Sequence, residues 1–370
     1  AWIEQGRLAT TICWQDIGAA WRDAPTTRLP DIEVQARVSE ALRESVARHL
    51  VADVPVGVFL SGGIDSGALA GLMVEAGAKD LQGITIAYDE FAGSHDDEAP
   101  VAAAIAAHYG IRHHVRRVGR EEFLADLPKI LEDMDQPSID GINTWYASKA
   151  VAELGLKVVV SGVGGDELFQ GYPSFSQLPR LVRRRRALSL LPGASTLARG
   201  LGHWQARRSG NARWRHAVDW SRSLAGAWWL RRGLFAPDDL PRLMQAPPPL
   251  AGFDPAQRVA AMTGVLAGEA SLAVGQIESM TYMRNQLLRD SDWASMAHSV
   301  ELRTPLVDAH LLWQLQPLLG NFSRFPGKRL LANAPGQPLP ESIINRRKTG
   351  FGIPVARWLA ESGTGTGSGS

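Results

Sequence analysis

A single cysteine, Cys13, stands in 370 residues, so no internal disulfide framework is available and the chain suits a reducing compartment. That lone thiol is expected to be an inert packing residue, buried or half-buried. No apolar run approaches the ~20 residues that cross a bilayer. The opening stretch AWIEQGRLATTICWQ lacks the basic-then-apolar build of a secretory signal. Neither sign of charge is in excess, with 39 Lys and Arg against 38 Asp and Glu and a net charge of +1, so overall charge points to no particular partner. The GxxxxGK[ST] phosphate loop and the GxGxxG dinucleotide fingerprint are both missing. A soluble, cytoplasmic protein is expected.

What is present is an alternation of strand-like and helix-like segments. Residues 31–50 place Val34, Val38, Ala41, Leu42, Val46 and Leu50 at helical spacing. Four runs then read as strands: Val54–Leu60, Leu81–Tyr88, His113–Val118 and Lys157–Val163. Helices are predicted between and after them, over about 66–77, 96–109, 121–133 and 143–155. This rhythm predicts an α/β fold, a parallel sheet with helices on both faces and right-handed crossovers. After Tyr172 no convincing strand is read as far as residue 320, and a mainly helical region follows. The resulting division is a connector over 1–30, a nucleotide-binding core over 31–172, a mainly helical part over 173–360 and a flexible tail over 361–370. From Arg180 to Arg232 there are 13 arginines against one acid, Asp219. That reads first as a solvated helix surface, with a patch for an anionic partner left open.

Two strand exits carry the chemistry. Val54–Leu60 runs into Ser61-Gly62-Gly63-Ile64-Asp65-Ser66, and a helix opens at once. Glycines let backbone N–H groups approach a ligand, the helix N-terminus adds partial positive charge, and the serines add donors. Together they make an anion cradle, best suited to phosphate. Asp65 would repel phosphate unless a hard cation lies between them, and Mg²⁺ is bound in this way by carboxylates plus phosphate oxygens. The second exit, Ser161-Gly162-Val163-Gly164-Gly165-Asp166-Glu167, has the same design. Two such loops could share one magnesium polyphosphate.

Ser61–Ser66 resembles the PP-loop of the ATP pyrophosphatases, the adenine nucleotide alpha hydrolase-like group. Together with SGVGGDELFQGY, ASMAHSVELRTPLVD and RRKTGFGIPVARWL, it resembles the synthetase domain of class B, glutamine-dependent asparagine synthetases and the related β-lactam synthetases. The resemblance covers residues from about 10 to 360. It implies an ATP-dependent ligase that adenylates a carboxylate, with aspartate the default, and then forms an amide with ammonia or an amine. It places ATP on Leu60, Ser61, Gly62, Gly63, Asp65, Ser66, Ile86 and Gly162, with Lys328 and Arg347 as further phosphate contacts. It makes Asp65 and Asp166 the Mg²⁺ ligands, and Lys348, Asp166 and Glu301 the candidate catalytic residues. Asp292, Ser295 and Arg303 fall beside the nucleotide or tie the site together, while His113, Asp97 and Glu98 read as structural.

The match departs from the family in two places. Val163 stands where asparagine-forming members carry a glutamate and β-lactam synthetases a tyrosine, and valine can neither accept a proton nor bind an amino group. No N-terminal cysteine nucleophile is present, so either the glutaminase domain has been trimmed away, which is the expectation, or the nitrogen comes from free ammonia or a bound amine. A small carboxylate and an ammonia or amine donor are the expected partners. Nucleic acid and membranes are not, and a homodimer stays open. Two other readings remain: another PP-loop adenylating enzyme of the GMP-synthetase or tRNA-modifying kind, and a non-catalytic nucleotide-binding relative.

Overall fold

The computed structural model describes residues 2–138, 140–243, 253–346, 352 and 354–363. The chain starts with an antiparallel hairpin, β1 (Trp2–Glu4) and β2 (Arg7–Thr10), turned at Gln5 and Gly6, both of positive φ. Cys13 follows and is exposed, contrary to expectation, because the segment around it buries little. Helix α1 (Ile17–Arg22) is capped by the Asp16 carboxylate, which accepts from the Ala19 N–H at 3.0 Å. Helix α2 (Asp31–His49) buries Val34, Val38, Ala41, Leu42 and Val46, the face its periodicity predicts.

The parallel sheet contains β3 (Val56–Phe59), β4 (Gln82–Tyr88), β5 (Arg112–Val118), β6 (Val158–Val160) and β7 (Glu301–Arg303), in the order β5-β4-β3-β6-β7. The crossovers supply α3 (Ile64–Glu75), α4 (Ala99–Tyr109), α5 (Arg120–Asp133) and α6 (Gly141–Glu153). The α/β expectation therefore holds, with two refinements. The third strand, at the sheet edge, is Arg-His-His-Val-Arg-Arg-Val rather than apolar. Its Arg116 forms ion pairs with Glu122 and Glu153, and charge on an edge strand discourages pairing with another chain. Strand β7 lies inside the stretch read as free of strands, and at three residues it is too short to show a period of two.

The strand order has a functional consequence. The chain leaves β3 towards β4 and β5, then returns to the other side of β3 as β6. Adjacent strands whose connections depart in opposite directions form a switch point, and ligands of open α/β sheets bind beyond it. The core beneath contains Phe123, Trp145, Tyr146, Val159, Trp293 and Trp358.

Two compact units emerge. One consists of Leu29–Phe169, Met283–Leu315 and Arg324–Ser370, and includes the sheet. The other consists of Ala1–Arg28, Gln170–Tyr282 and Gln316–Ser323. The division is discontinuous in sequence, so residues 283–315 and those after 323 belong with the sheet. A four-residue helix, α7 (Gly165–Leu168), still belongs to the sheet unit. The helical unit has α8 (Ser174–Ser189), α9 (Ala194–Ser209), α10 (Arg213–Trp220) and α11 (Leu224–Arg232), with Leu178, Val182, Trp228, Val274 and Ile277 in its core.

Candidate active site

The exit from β3 is shaped by its own serines. The Ser61 N–H donates to Ser66 Oγ at 3.1 Å, the two hydroxyls lie 2.9 Å apart, and the Gly63 N–H donates to Ser61 Oγ at 3.1 Å. Gly63 precedes α3 with no side-chain cap, so the 12-residue helix opens towards the loop with its first-turn N–H groups uncapped by any side chain. The strand end is pinned from behind. Thr85 Oγ1 donates to the Leu60 carbonyl at 2.5 Å and lies 2.7 Å from His113 Nε2. Burial, with His114 adding to it, pushes the His113 imidazole below its ordinary pKa.

The exit from β6 lies directly against the first. A Cβ on Gly162 would come within 2.9 Å of Asp65 Cβ, and one on Gly165 within 2.5 Å of Asp65 Oδ1. Gly164 has φ +95, and a Cβ there would meet Val307 Cγ2 at 2.5 Å. The glycines are thus needed for two loops to interlock as well as for backbone freedom. Strand β7 braces this second exit, since the Ser161 N–H donates to the Arg303 carbonyl at 2.8 Å.

Asp65 and Asp166 converge on one cation. Lys328 Nζ lies 2.5 Å from Asp65 Oδ2 and 2.5 Å from Asp166 Oδ1. Lys328 is buried, 7% exposed, and its backbone is left-handed at φ 57, directly after Gly327 at φ 70. A lysine in that region costs on the order of 1 kcal/mol, which marks a constrained position. Burial alone would depress its pKa, but the charges of Asp65 and Asp166 more than offset this and hold it above the ordinary lysine value.

The donor set suits a hard divalent cation: two carboxylates meeting at one point that a positive group already occupies. Among the described residues no three His, Cys, Asp or Glu side chains cluster as a metal centre, so phosphate oxygens or water would complete the coordination.

A second cation approaches the cradle. A Cβ on Gly62 would be 2.7 Å from Arg346 Nη1, so the Arg346 guanidinium lies against the first loop. Sequence reasoning placed the weight of the Arg346-Arg347-Lys348 run on its last two members and passed over this one. Arg347 and Lys348 lie outside the described residues. Ile86, with Tyr88, Phe91, Asp97 and Gly352, lines a cavity beyond the sheet. Asp97 has a structural task there, accepting from the N–H groups of Ala99 at 3.1 Å and Gly93 at 3.3 Å.

Glu301 is not brought to this cluster. In register with Val158, two residues before the end of β6, it pairs with Arg303 at 2.7 Å. Arg303 Nη1 donates to the carbonyls of His49 and Val51, both at 2.8 Å, and the pair borders an open cleft of about 670 Å³ that shares no residue with the aspartate–lysine cluster. Asp292 is exposed, and the buried Ser295 hydroxyl donates to the Asp292 carbonyl at 3.3 Å.

The asparagine synthase family model matches residues 37–365, nearly the whole chain. The chain belongs to this family. A putative glutamine-hydrolyzing asparagine synthetase of Mycobacterium tuberculosis is 32% identical over 359 residues, covering 91% of the chain and 50% of that protein. The glutamine-hydrolyzing asparagine synthetase 1 of Bacillus subtilis is 28% identical over 347 residues, covering 87% of the chain and 50% of that protein. An amidase of Gibberella zeae, chry2, is 32% identical over 158 residues, covering 39% of the chain. The chain thus spans about half the length of the asparagine synthetases it matches most extensively. Among the described residues no helix is long and apolar enough to cross a membrane.

Proposed function

We propose that the chain is the synthetase part of an ATP-dependent amidoligase, which joins a carboxylate to ammonia or an amine through an acyl-adenylate. The observation that carries this reading is the meeting of Asp65 and Asp166, from two glycine-rich strand exits, on the Lys328 ammonium. Ser61, Gly62, Gly63 and Ser66 would take the pyrophosphate portion of ATP. Leu60, Ile86 and Gly162 would line the adenosine side, where strand ends offer apolar surface and backbone hydrogen bonds. Mg²⁺, held by Asp65 and Asp166, would draw negative charge from the phosphate oxygens. Lys328 and Arg346 add positive charge around the same oxygens.

In the first step a substrate carboxylate oxygen attacks the α-phosphorus. The bond from that phosphorus to the bridging oxygen breaks, and pyrophosphate leaves. In the second step the amine nitrogen attacks the acyl carbon, AMP leaves with the bonding pair, and the nitrogen loses a proton to solvent or a base. Lys348 is assigned to the charge growing on the α-phosphate and pyrophosphate. Glu301 has a positioning role in this scheme, because its carboxylate is engaged by Arg303, whose strand braces the second exit. Val163 supplies no proton acceptor, so the acid and the nitrogen donor are open to experiment, with aspartate and ammonium first.

The test is ATP–pyrophosphate exchange over a set of carboxylic acids. Exchange that depends on one acid and on Mg²⁺, and that is lost in Asp65→Asn, supports the proposal. Absence of exchange with every acid, or exchange undiminished in Asp65→Asn, overturns it.

A further inference from the structure

Some arginines between Arg180 and Arg232 have acidic partners and others have none among the described residues. Arg199 and Arg222 pair with Asp219, Arg215 with Asp238, and Arg232 with the fully buried Glu278. Arg180, Arg184, Arg213 and Arg231 have no carboxylate within 4.0 Å among the described residues, and these four line one groove of about 550 Å³. Two of them are oriented by neutral partners: Arg213 Nε donates to Asn211 Oδ1 at 3.3 Å, and Arg231 Nη1 donates to Gln177 Oε1. Leu181 and Leu230, both half-buried, line the same groove, with the buried Leu178 behind them in the core. Unneutralised guanidiniums around a concavity repel one another, and an anion relieves that repulsion while satisfying their N–H donors.

We infer that this groove binds a small amphipathic phosphate ester, with the phosphate on the arginines and an aliphatic portion against the leucines. The volume is that of a small-molecule site. Single-stranded nucleic acid fits less well, because its sequence-tolerant binding uses aromatic stacking platforms and, among the described residues, no aromatic side chain lines this groove. Every lining residue belongs to the helical unit, so the inference is independent of the ATP reading.

The test titrates the whole chain with octyl phosphate, below its micelle concentration, by calorimetry. Inorganic phosphate, octanol and a 20-nucleotide oligothymidine serve as comparisons. Octyl phosphate is expected to bind one to one, at least about tenfold tighter than inorganic phosphate or octanol. Arg180→Glu/Arg184→Glu should weaken it by at least about tenfold, the loss of two charge-assisted contacts. Both arginines are exposed, and Arg180→Gln/Arg184→Gln repeats the test without charge reversal if the first variant does not fold. The same binding in Asp65→Asn separates the groove from the ATP cradle. Unchanged affinity in the arginine variants, octanol binding as tightly as octyl phosphate, or the oligonucleotide binding more tightly than octyl phosphate would each overturn the inference.

Discussion

The two strand exits share a recipe of serine, glycines and aspartate, yet they do different work. The first is open: its serines bond to one another, its helix runs for 12 residues, and a Cβ on Gly63 would meet only Ser61 Oγ at 3.1 Å. The second is closed: its helix has four residues, Gly164 is left-handed, and Gly162 and Gly165 press against Asp65. One loop opens α3 without a side-chain cap while its own serines hold the Ser61 and Gly63 N–H groups, and the other presents a carboxylate and packs against Asp65. Similar glycine content therefore serves different ends: Gly63 stands nearly clear, Gly62 makes room for Arg346 and Val101, and the second loop's glycines make room for Asp65 and Val307.

Substitutions can break this contrast. The largest effect is expected from Lys328→Met, which leaves Asp65 and Asp166 facing each other without their cation. Loss of one partner from a buried ion cluster costs about 3–5 kcal/mol. Urea unfolding should register it, with part of the loss recovered in Mg²⁺ if both exits contribute to one cation site. A cost near zero would mean that the two carboxylates are not coupled. Lys348→Ala should abolish amide formation while ATP still binds, a loss of roughly 10²–10³ in turnover for one transition-state charge contact. Normal turnover would remove this lysine from the mechanism.

Gly165→Ala places a methyl group 2.5 Å from Asp65 Oδ1 and should destabilise by about 1–3 kcal/mol, the usual cost of overpacking. Gly63→Ala, at φ −91, should leave the melting temperature nearly unchanged while weakening nucleotide binding. Equal thermal effects from the two would erase the distinction between open and closed exits.

The smallest effect concerns pH. Because burial holds the folded His113 imidazole below 6.5, the unfolded chain takes up that proton first as the solution is acidified. Stability from this group is therefore present above pH 6.5 and is lost as pH falls through the folded value. His113→Gln should flatten the fall of the melting temperature as the pH drops below 6.5, and an unaltered slope would mean that another group titrates there.

Both exits were legible because glycine, serine and aspartate after an apolar strand have few structural uses, and α2 was legible because Val34, Val38, Leu42 and Val46 keep one period. Their adjacency was not, since it depends on the order in which strands assemble. Strand β7 escaped because three residues cannot establish a pattern, whereas β5 was legible as a strand and only its charged, edge character was not, because its arginines satisfy an edge position and no core. Lys328 was read as a secondary phosphate contact. Nothing in Gly-Lys-Arg-Leu-Leu announces a left-handed lysine buried between two acids, because that placement is made by residues more than 160 positions away. Arg346 was overlooked because its neighbours in the same run carried the family resemblance. The exposed thiol of Cys13 follows from a segment that packs against little, which composition alone does not reveal.

The last described helix, Val355–Gly363, inserts Trp358 between Tyr88 and Phe123, at ring separations of 5.8 Å and 4.9 Å. This plug makes a segment remote in sequence part of the foundation on which the sheet strands stand. A recombinant version cut short before Val355 would uncover two aromatic rings at the sheet and should emerge as insoluble material.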